Sequence, residues 1–282
     1  MKNNQSFYKQ APLPFVGQKR LFLNHYINII NEHIPDDGEG WTIIDAFGGS
    51  GLLSHVTKHI KPKARVIYND FDGYSERLKH IRDLNKLRRI LLELLKNEPR
   101  SKQLSCDMKY KVIQAIEAFT GYKDPHVLST WLLFSGQQVR TLSELYRLSF
   151  YNRIRLSDYS EAQDYFNGFE VANESFHSLL PRFVDKQKTL FVLDPPYLCT
   201  HQAAYSMDTY FDLIDFLRLI NLTRPPFIFF SSTKSEFIRF VDFMLETKTH
   251  NWESFTDYKK ISINTSTNYS GKYDNAARDK LT

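Results

Sequence analysis

"WTIIDAFGGSG", Trp41 to Gly51, runs a short apolar segment into a glycine-rich turn. Trp41 to Phe47 reads as a strand, and the apolar spacing after Gly51 predicts a helix from Leu52 to Ile60. Glycines let backbone approach a bulky ligand, and a helix N-terminus favours anionic or electron-rich groups. Gly49-x-Gly51-x-x-Ser54 half-matches the dinucleotide fingerprint, although a plain tight turn has the same composition.

Working outward, "ARVIYND" (Ala64 to Asp70) predicts a second strand ending in an acid, 19 residues after Gly51. A carboxylate there can accept hydrogen bonds from both ribose hydroxyls, or it can cap the following helix. The two features together point to an adenosine-containing ligand. They do not separate a nicotinamide cofactor from S-adenosylmethionine.

Further strands are expected at "NRIRLSD" (Asn152 to Asp158), "TLFVL" (Thr189 to Leu193) and "PFIFFSS" (Pro226 to Ser232). Arg20 to His33 predicts a helix with Phe22, Tyr26, Ile29 and Ile30 on one face, stopped by Pro35. Ser75 to about Leu148 is helical in pattern, with breaks near Pro99 and from Gly121 to Pro125. "YFDLIDFLRLI" puts Phe211, Ile214 and Leu217 on one helical face, and Thr233-x-x-Glu236 has the form of a capping box. Strands near Trp252–Phe255 and Lys259–Ile263 are expected to form an antiparallel edge pair. Strands alternating with helices, and apolar runs such as "FVL" and "FIFF", predict an α/β protein with a parallel sheet covered on both faces. Ligands of such sheets sit beyond the carboxyl ends of the strands. The glycine turn, Asp70, Asp158 and Asp194 are all expected there.

The chain has 282 residues and 42% hydrophobic content, enough for one large domain or one domain with an insertion. The net charge is only +5, but Arg77 to Lys102 holds nine cations against three anions. That stretch suits phosphate-bearing partners, and equally a solvated helix face. Cys106 and Cys199 lack metal-ligand spacing and suggest no disulfide framework, so a cytoplasmic location is the expectation. Met1 to Gln10 lacks the apolar stretch of a signal peptide, and no window of about 18 apolar residues predicts a membrane span.

"DPPY", Asp194 to Tyr197, supplies the chemistry. A carboxylate oxygen of Asp194 and the carbonyl of Pro195 are both acceptors, and two acceptors converging on one point suit an NH₂ group. Pro195 and Pro196 fix φ and hold the acceptors without entropic slack. Tyr197 offers a flat ring for stacking on a planar base. The tetrad reads as a receptor for an exocyclic amine on an aromatic heterocycle.

With these residues the chain resembles the Dam-like (D12 class) N6-adenine DNA methyltransferases. "FVGQK" resembles their N-terminal motif, in which an aromatic residue and a lysine, Phe15 and Lys19, contact the cofactor. "DAFGGSG" resembles their cofactor loop, contributing Asp45, Phe47, Gly48, Gly49 and Gly51. "YND" ending in Asp70 resembles their ribose motif, and "SDY", with Asp158 and Tyr159, their acidic motif near the cofactor's adenine. The resemblance covers roughly residues 12–74 and 150–235.

It implies a Rossmann-like methyltransferase domain from residues 1–74 and 150–282, with an inserted, mainly helical target-recognition region at 75–149. It implies S-adenosylmethionine as cofactor and transfer of its methyl group to a flipped adenine in double-stranded DNA. Lys86, Arg88, Arg89, Arg100 and Lys102 would then hold phosphates, no metal would be needed, and a cognate restriction endonuclease is an admissible partner. Methylation of cytosine N4, RNA as substrate, and a homologue that only binds nucleic acid stay open. The family's β-hairpin rich in Arg, Tyr, Asn and Gly cannot be placed in residues 120–150, so its target sites do not carry over.

Overall fold

The computed structural model describes residues 7–134, 136–197, 211–231 and 237–262. Its first elements follow the hydrophobic pattern. A 3₁₀ turn at Arg20–Phe22 leads into α1 (Leu23–His33), which buries Leu23, Tyr26 and Ile30. Next come β1 (Thr42–Asp45), α2 (Leu52–Ile60) and β2 (Arg65–Asn69). An inserted run of helices follows: α3 (Tyr74–Lys79), α4 (Ile81–Leu94), α5 (Cys106–Ala118), α6 (Pro125–Leu132) and α7 (Leu142–Arg147). The chain then returns through β3 (Glu170–Ala172), α8 (Phe176–Leu179), β4 (Thr189–Leu193), α9 (Leu213–Leu222), β5 (Phe227–Phe229) and α10 (Phe237–Thr247).

The sheet is parallel, with strand order β3-β2-β1-β4-β5. Successive strand residues point to opposite faces. Ile43, Val66, Leu190 and Val192 therefore pack on α1 and α2, while Ile44, Ile67, Phe191 and Leu193 pack against the core beneath α8, α9 and α10. This is a Rossmann-like α/β fold with helices on both faces. The chain reverses its direction of growth between β1 and β4, which are hydrogen-bonded neighbours with Asp45 level with Val192. That crevice is the usual ligand seat of an open α/β sheet.

Several expectations need correction. Asn152 to Asp158 is not a strand; Tyr151 makes an isolated antiparallel bridge with Gln103. The carbonyls that a strand would pair are taken by arginines: Ile154 O by Arg100, and Arg155 O and Leu156 O by Arg88. The third strand is β3, too short and too exposed to carry an apolar signature. On α9 the buried residues are Phe216, Leu219 and Ile220; Ile214 is exposed, and Phe211 precedes the cap made by Asp212. Trp252–Phe255 is a 3₁₀ turn rather than a strand, entered through Asn251 at φ 67°. Residues 259–262 have no regular structure, so the expected edge pair is absent among the described residues. Ile263 and the Thr233–Glu236 box lie outside the described residues.

The helical run packs together with residues from outside 75–149. Its core includes Ala11 and Leu13 from the N-terminal strap, together with Phe150, Ile154, Tyr159 and Tyr165. Tyr74 OH binds both the N–H and the carbonyl of Leu13, each at 2.9 Å. The strap that precedes the sheet in sequence is thus seated on the insertion.

Candidate active site

The ends of β1 and β4 bring Asp45 and Asp194 into one crevice. Asp45 is 2% exposed; Ser54, in the first turn of α2, donates its hydroxyl to Oδ2 at 2.7 Å. Oδ1 is buried with no hydrogen-bond partner among the described residues. Burial pushes the Asp45 carboxyl up to about 7; the Ser54 hydrogen bond opposes this, and the Asp194 charge adds to it.

Asp194 follows the fully buried β4, and its neighbour Pro195 is buried. Its Oδ2 pairs with the Lys19 ammonium, and its side chain stays 19% exposed. Among the described residues, Oδ1 receives only a long contact, 3.4 Å, from the Tyr197 hydroxyl. Burial raises the Asp194 pKa, and the Lys19 charge works against that rise. Lys19 is itself oriented by the Gly17 carbonyl at 2.9 Å and lies 5.8 Å from the Tyr197 ring and 5.6 Å from the Phe230 ring. One oxygen of the carboxylate is therefore pinned and charge-compensated, and the other is only weakly engaged.

The glycine turn lies beside this pair. Gly51 is the left-handed N-cap of α2 (φ 70°), and no side chain caps that helix. Its first-turn N–H groups are thus not served by a capping side chain. Gly49 also has positive φ (48°), and a Cβ there would lie 2.9 Å from the Phe15 ring. The strap's aromatic thus rests directly on the turn. Phe47 packs away from it, against Phe176 and Phe211 at 5.4 and 6.0 Å.

The tetrad, Phe15, Lys19, Asp45 and the glycine turn therefore meet at one edge of the sheet. Other expected residues are placed differently. Asp70 is 2% exposed and caps α3, accepting the N–H of Tyr74 at 2.6 Å and of Ser75 at 2.8 Å, with Tyr68 OH 2.8 Å away. The capping alternative describes its contacts. Asp158 ends no strand; it is paired with Arg88 and Arg89 on α4, which hold its carboxyl below the usual range. Tyr159 is buried, with its ring 6.2 Å from Trp131 in the helical core.

Of the nine cations in the basic stretch, Arg77 and Arg88 are buried and the other seven, Arg100 among them, are exposed. Arg88 is 4% exposed and binds Asp158 and two carbonyls; Arg100 binds Asn152 Oδ1 and Ile154 O. Each of those two ties the 152–158 segment to the insertion. Arg89 is paired with Asp158 and Lys86 with Asp83, both at the exposed surface, and Lys102 is exposed. Phe230 and the Ser54 contact with Asp45 were not anticipated as site features. Ser54 had a signal, its fixed spacing from Gly51; Phe230 had none beyond lying just after a strand.

No protein-family model matches the chain. A curated Haemophilus influenzae protein named "Putative methyltransferase" is 56% identical over 272 residues, covering 96% of this chain and 92% of that protein. Identity at that level over nearly the whole of both chains, on a Rossmann-like sheet, leaves one conclusion: the chain belongs to the methyltransferase family of that protein.

Proposed function

We propose that the protein is an S-adenosylmethionine-dependent DNA methyltransferase of the Dam-like type that modifies adenine N6. The observation that carries this reading is the placement of "DPPY" at the carboxyl end of β4, across from the glycine turn, with Asp194 Oδ1 only weakly engaged.

The residues suit the cofactor. Among the described residues, Asp45 keeps a buried oxygen without a hydrogen-bond partner at the strand end, and α2 opens without a side-chain cap. The Phe15 ring lies over the turn and could flank a bound adenosine. When bound, S-adenosylmethionine supplies an electrophilic methyl group on a sulfonium.

The chain's own part is orientation and electrostatics. Adenine N6 is a poor nucleophile because its lone pair is delocalised into the ring. Asp194 Oδ1 and the Pro195 carbonyl accept its two N–H groups and favour a more pyramidal nitrogen, with the lone pair directed at the methyl. Lys19 opposes the rise that burial imposes on the Asp194 carboxyl and so favours its ionised form. The Tyr197 ring stacks on the base and offsets part of the cost of extruding it from a duplex, a few kcal/mol.

The test is transfer of labelled methyl to duplex DNA followed by nucleoside analysis. N6-methyladenine is the expected product, and N4-methylcytosine would reassign the base. Asp194→Ala should lower turnover by at least about a hundredfold with cofactor affinity retained; unchanged turnover would refute the assignment.

A further inference from the structure

A cavity of about 470 Å³ lies between the N-terminal strap and the helical insertion. Neither Asp194 nor any residue of the glycine turn lines it. Its wall on one side is strap residues 10–18 and Arg20; on the other it is formed by α3, α6 and the segments carrying Gln138 and Tyr159.

The lining is polar and directional. Arg20 and Arg155 line the cavity against one carboxylate, Asp72, while the charge of Arg77 is already answered by Asp124, so the remaining balance favours an anionic occupant. Gln10, Gln18, Gln138, Thr130 and His126 add amide, hydroxyl and imidazole groups, which present donors and acceptors side by side. Several of these groups are already ordered. The Gln18 amide oxygen accepts from Ala11 N–H at 3.0 Å, the Thr130 hydroxyl donates to the Val127 carbonyl at 2.7 Å, and the Tyr159 hydroxyl accepts from Trp131 at 3.1 Å. The Arg155 guanidinium lies 4.6 Å from the Tyr159 ring centre, a flat pair at the cavity's edge. Arg77, 7% exposed, is locked between Asp124 (2.6 Å) and the Pro14 carbonyl (3.0 Å), which fixes the strap wall to the insertion wall. Gln18 lines the cavity, and the next residue, Lys19, contacts Asp194.

We infer that this cavity reads the DNA next to the target base: it takes a neighbouring nucleotide, with the amide and hydroxyl side chains on the base edge and arginines on its phosphate. The inference rests on the DNA-methyltransferase reading and deepens it. Amides and hydroxyls in fixed orientation discriminate base edges, whereas guanidinium contacts to phosphate position the strand without reading it. Because the strap forms the cavity wall and also carries Lys19, the nucleotide read would be close in sequence to the one modified. It would give this chain a specificity element where no recognition hairpin is found among the described residues.

The test uses the full chain with S-adenosylmethionine and a duplex library randomised around adenine, comparing wild type with Gln138→Ala and Arg155→Ala. Sequencing the methylated products should show that Gln138→Ala relaxes the preference at one position near the methylated base. Its kcat/KM on the preferred sequence should fall roughly ten- to a hundredfold. Arg155→Ala, at an exposed position, should weaken binding to all sequences alike and lower the salt slope of affinity by about one. Both should bind S-adenosylmethionine as wild type does. An unchanged motif and salt slope, from a wild type that does methylate DNA, would overturn the inference and leave the activity standing. Loss of cofactor affinity in both variants would overturn it by assigning the cavity to the cofactor. A wild type that labels no DNA would overturn the DNA reading and this inference together.

Discussion

Lys19, in a strap that packs on the helical insertion, places its ammonium on the carboxylate of Asp194 at the end of β4. Residues 175 positions apart form one charge-compensated unit because the strap is folded back over the sheet edge. Burial alone would favour a protonated Asp194, and Lys19 is the group that resists this. Lys19→Met should therefore raise the pKa of Asp194 further. If the ionised carboxylate is the working form, methyl transfer in the variant should fail at a higher pH as the solution is acidified. The pH–rate profiles of the two proteins decide it; coincident acid limbs would mean that Lys19 does not govern Asp194.

Asp45 titrates in the opposite sense from a salt-bridged acid. Its folded-state pKa, about 7, lies above the ordinary 3.8, with burial the main cause. The folded protein thus holds a proton that the unfolded chain releases. Stability from this group is complete below about pH 4 and is lost as pH rises towards 7. Asp45→Asn should flatten that dependence, by a few kcal/mol at most. Thermal unfolding of both proteins from pH 4 to 8 is the check; parallel curves would show that Asp45 is ionised at little cost.

The Arg77–Asp124 pair is buried on both sides, and Asp124 also caps α6 through the N–H groups of His126 and Val127. Asp124→Ala leaves a buried guanidinium without its counter-ion. The expected loss is about 3–5 kcal/mol, read from denaturant unfolding. A loss under about 1 kcal/mol would mean that water or another acceptor takes Asp124's place.

Gly48 has no room for a side chain. A Cβ there would lie 2.3 Å from the Tyr68 ring, which is fully buried and held by its hydroxyl near Gly49 O (2.7 Å) and Asp70 (2.8 Å). Gly48→Ala should cost about 1–3 kcal/mol by overpacking. The same shift of the turn should weaken cofactor binding. A calorimetric titration with wild-type affinity in the variant would show that the turn adapts without disturbing its ligand face.

The strand–turn–helix at Trp41–Ile60, the buried strand before "DPPY" and the helical run after Ser75 were legible in the sequence, because each depends on local periodicity, glycine and proline. β3 was not, since three residues at a sheet edge bury too little to leave a pattern. The segment 152–158 has some alternation, yet its carbonyls are satisfied by Arg88 and Arg100 from remote positions, which no local signal encodes.

By itself the sequence determined the chemistry on offer: two acceptor oxygens, a stacking ring, a glycine turn and a distant lysine. Only tertiary structure decided which of these meet. Strand order brings Asp45 beside Asp194, and the strap's burial in the insertion delivers Lys19. It also decided that Asp158, Arg88 and Asp70 are occupied within the scaffold. Local propensity sets what each segment can become, but the partners of a charge are chosen by packing between segments far apart in the chain, where desolvation makes an unpaired ion costly.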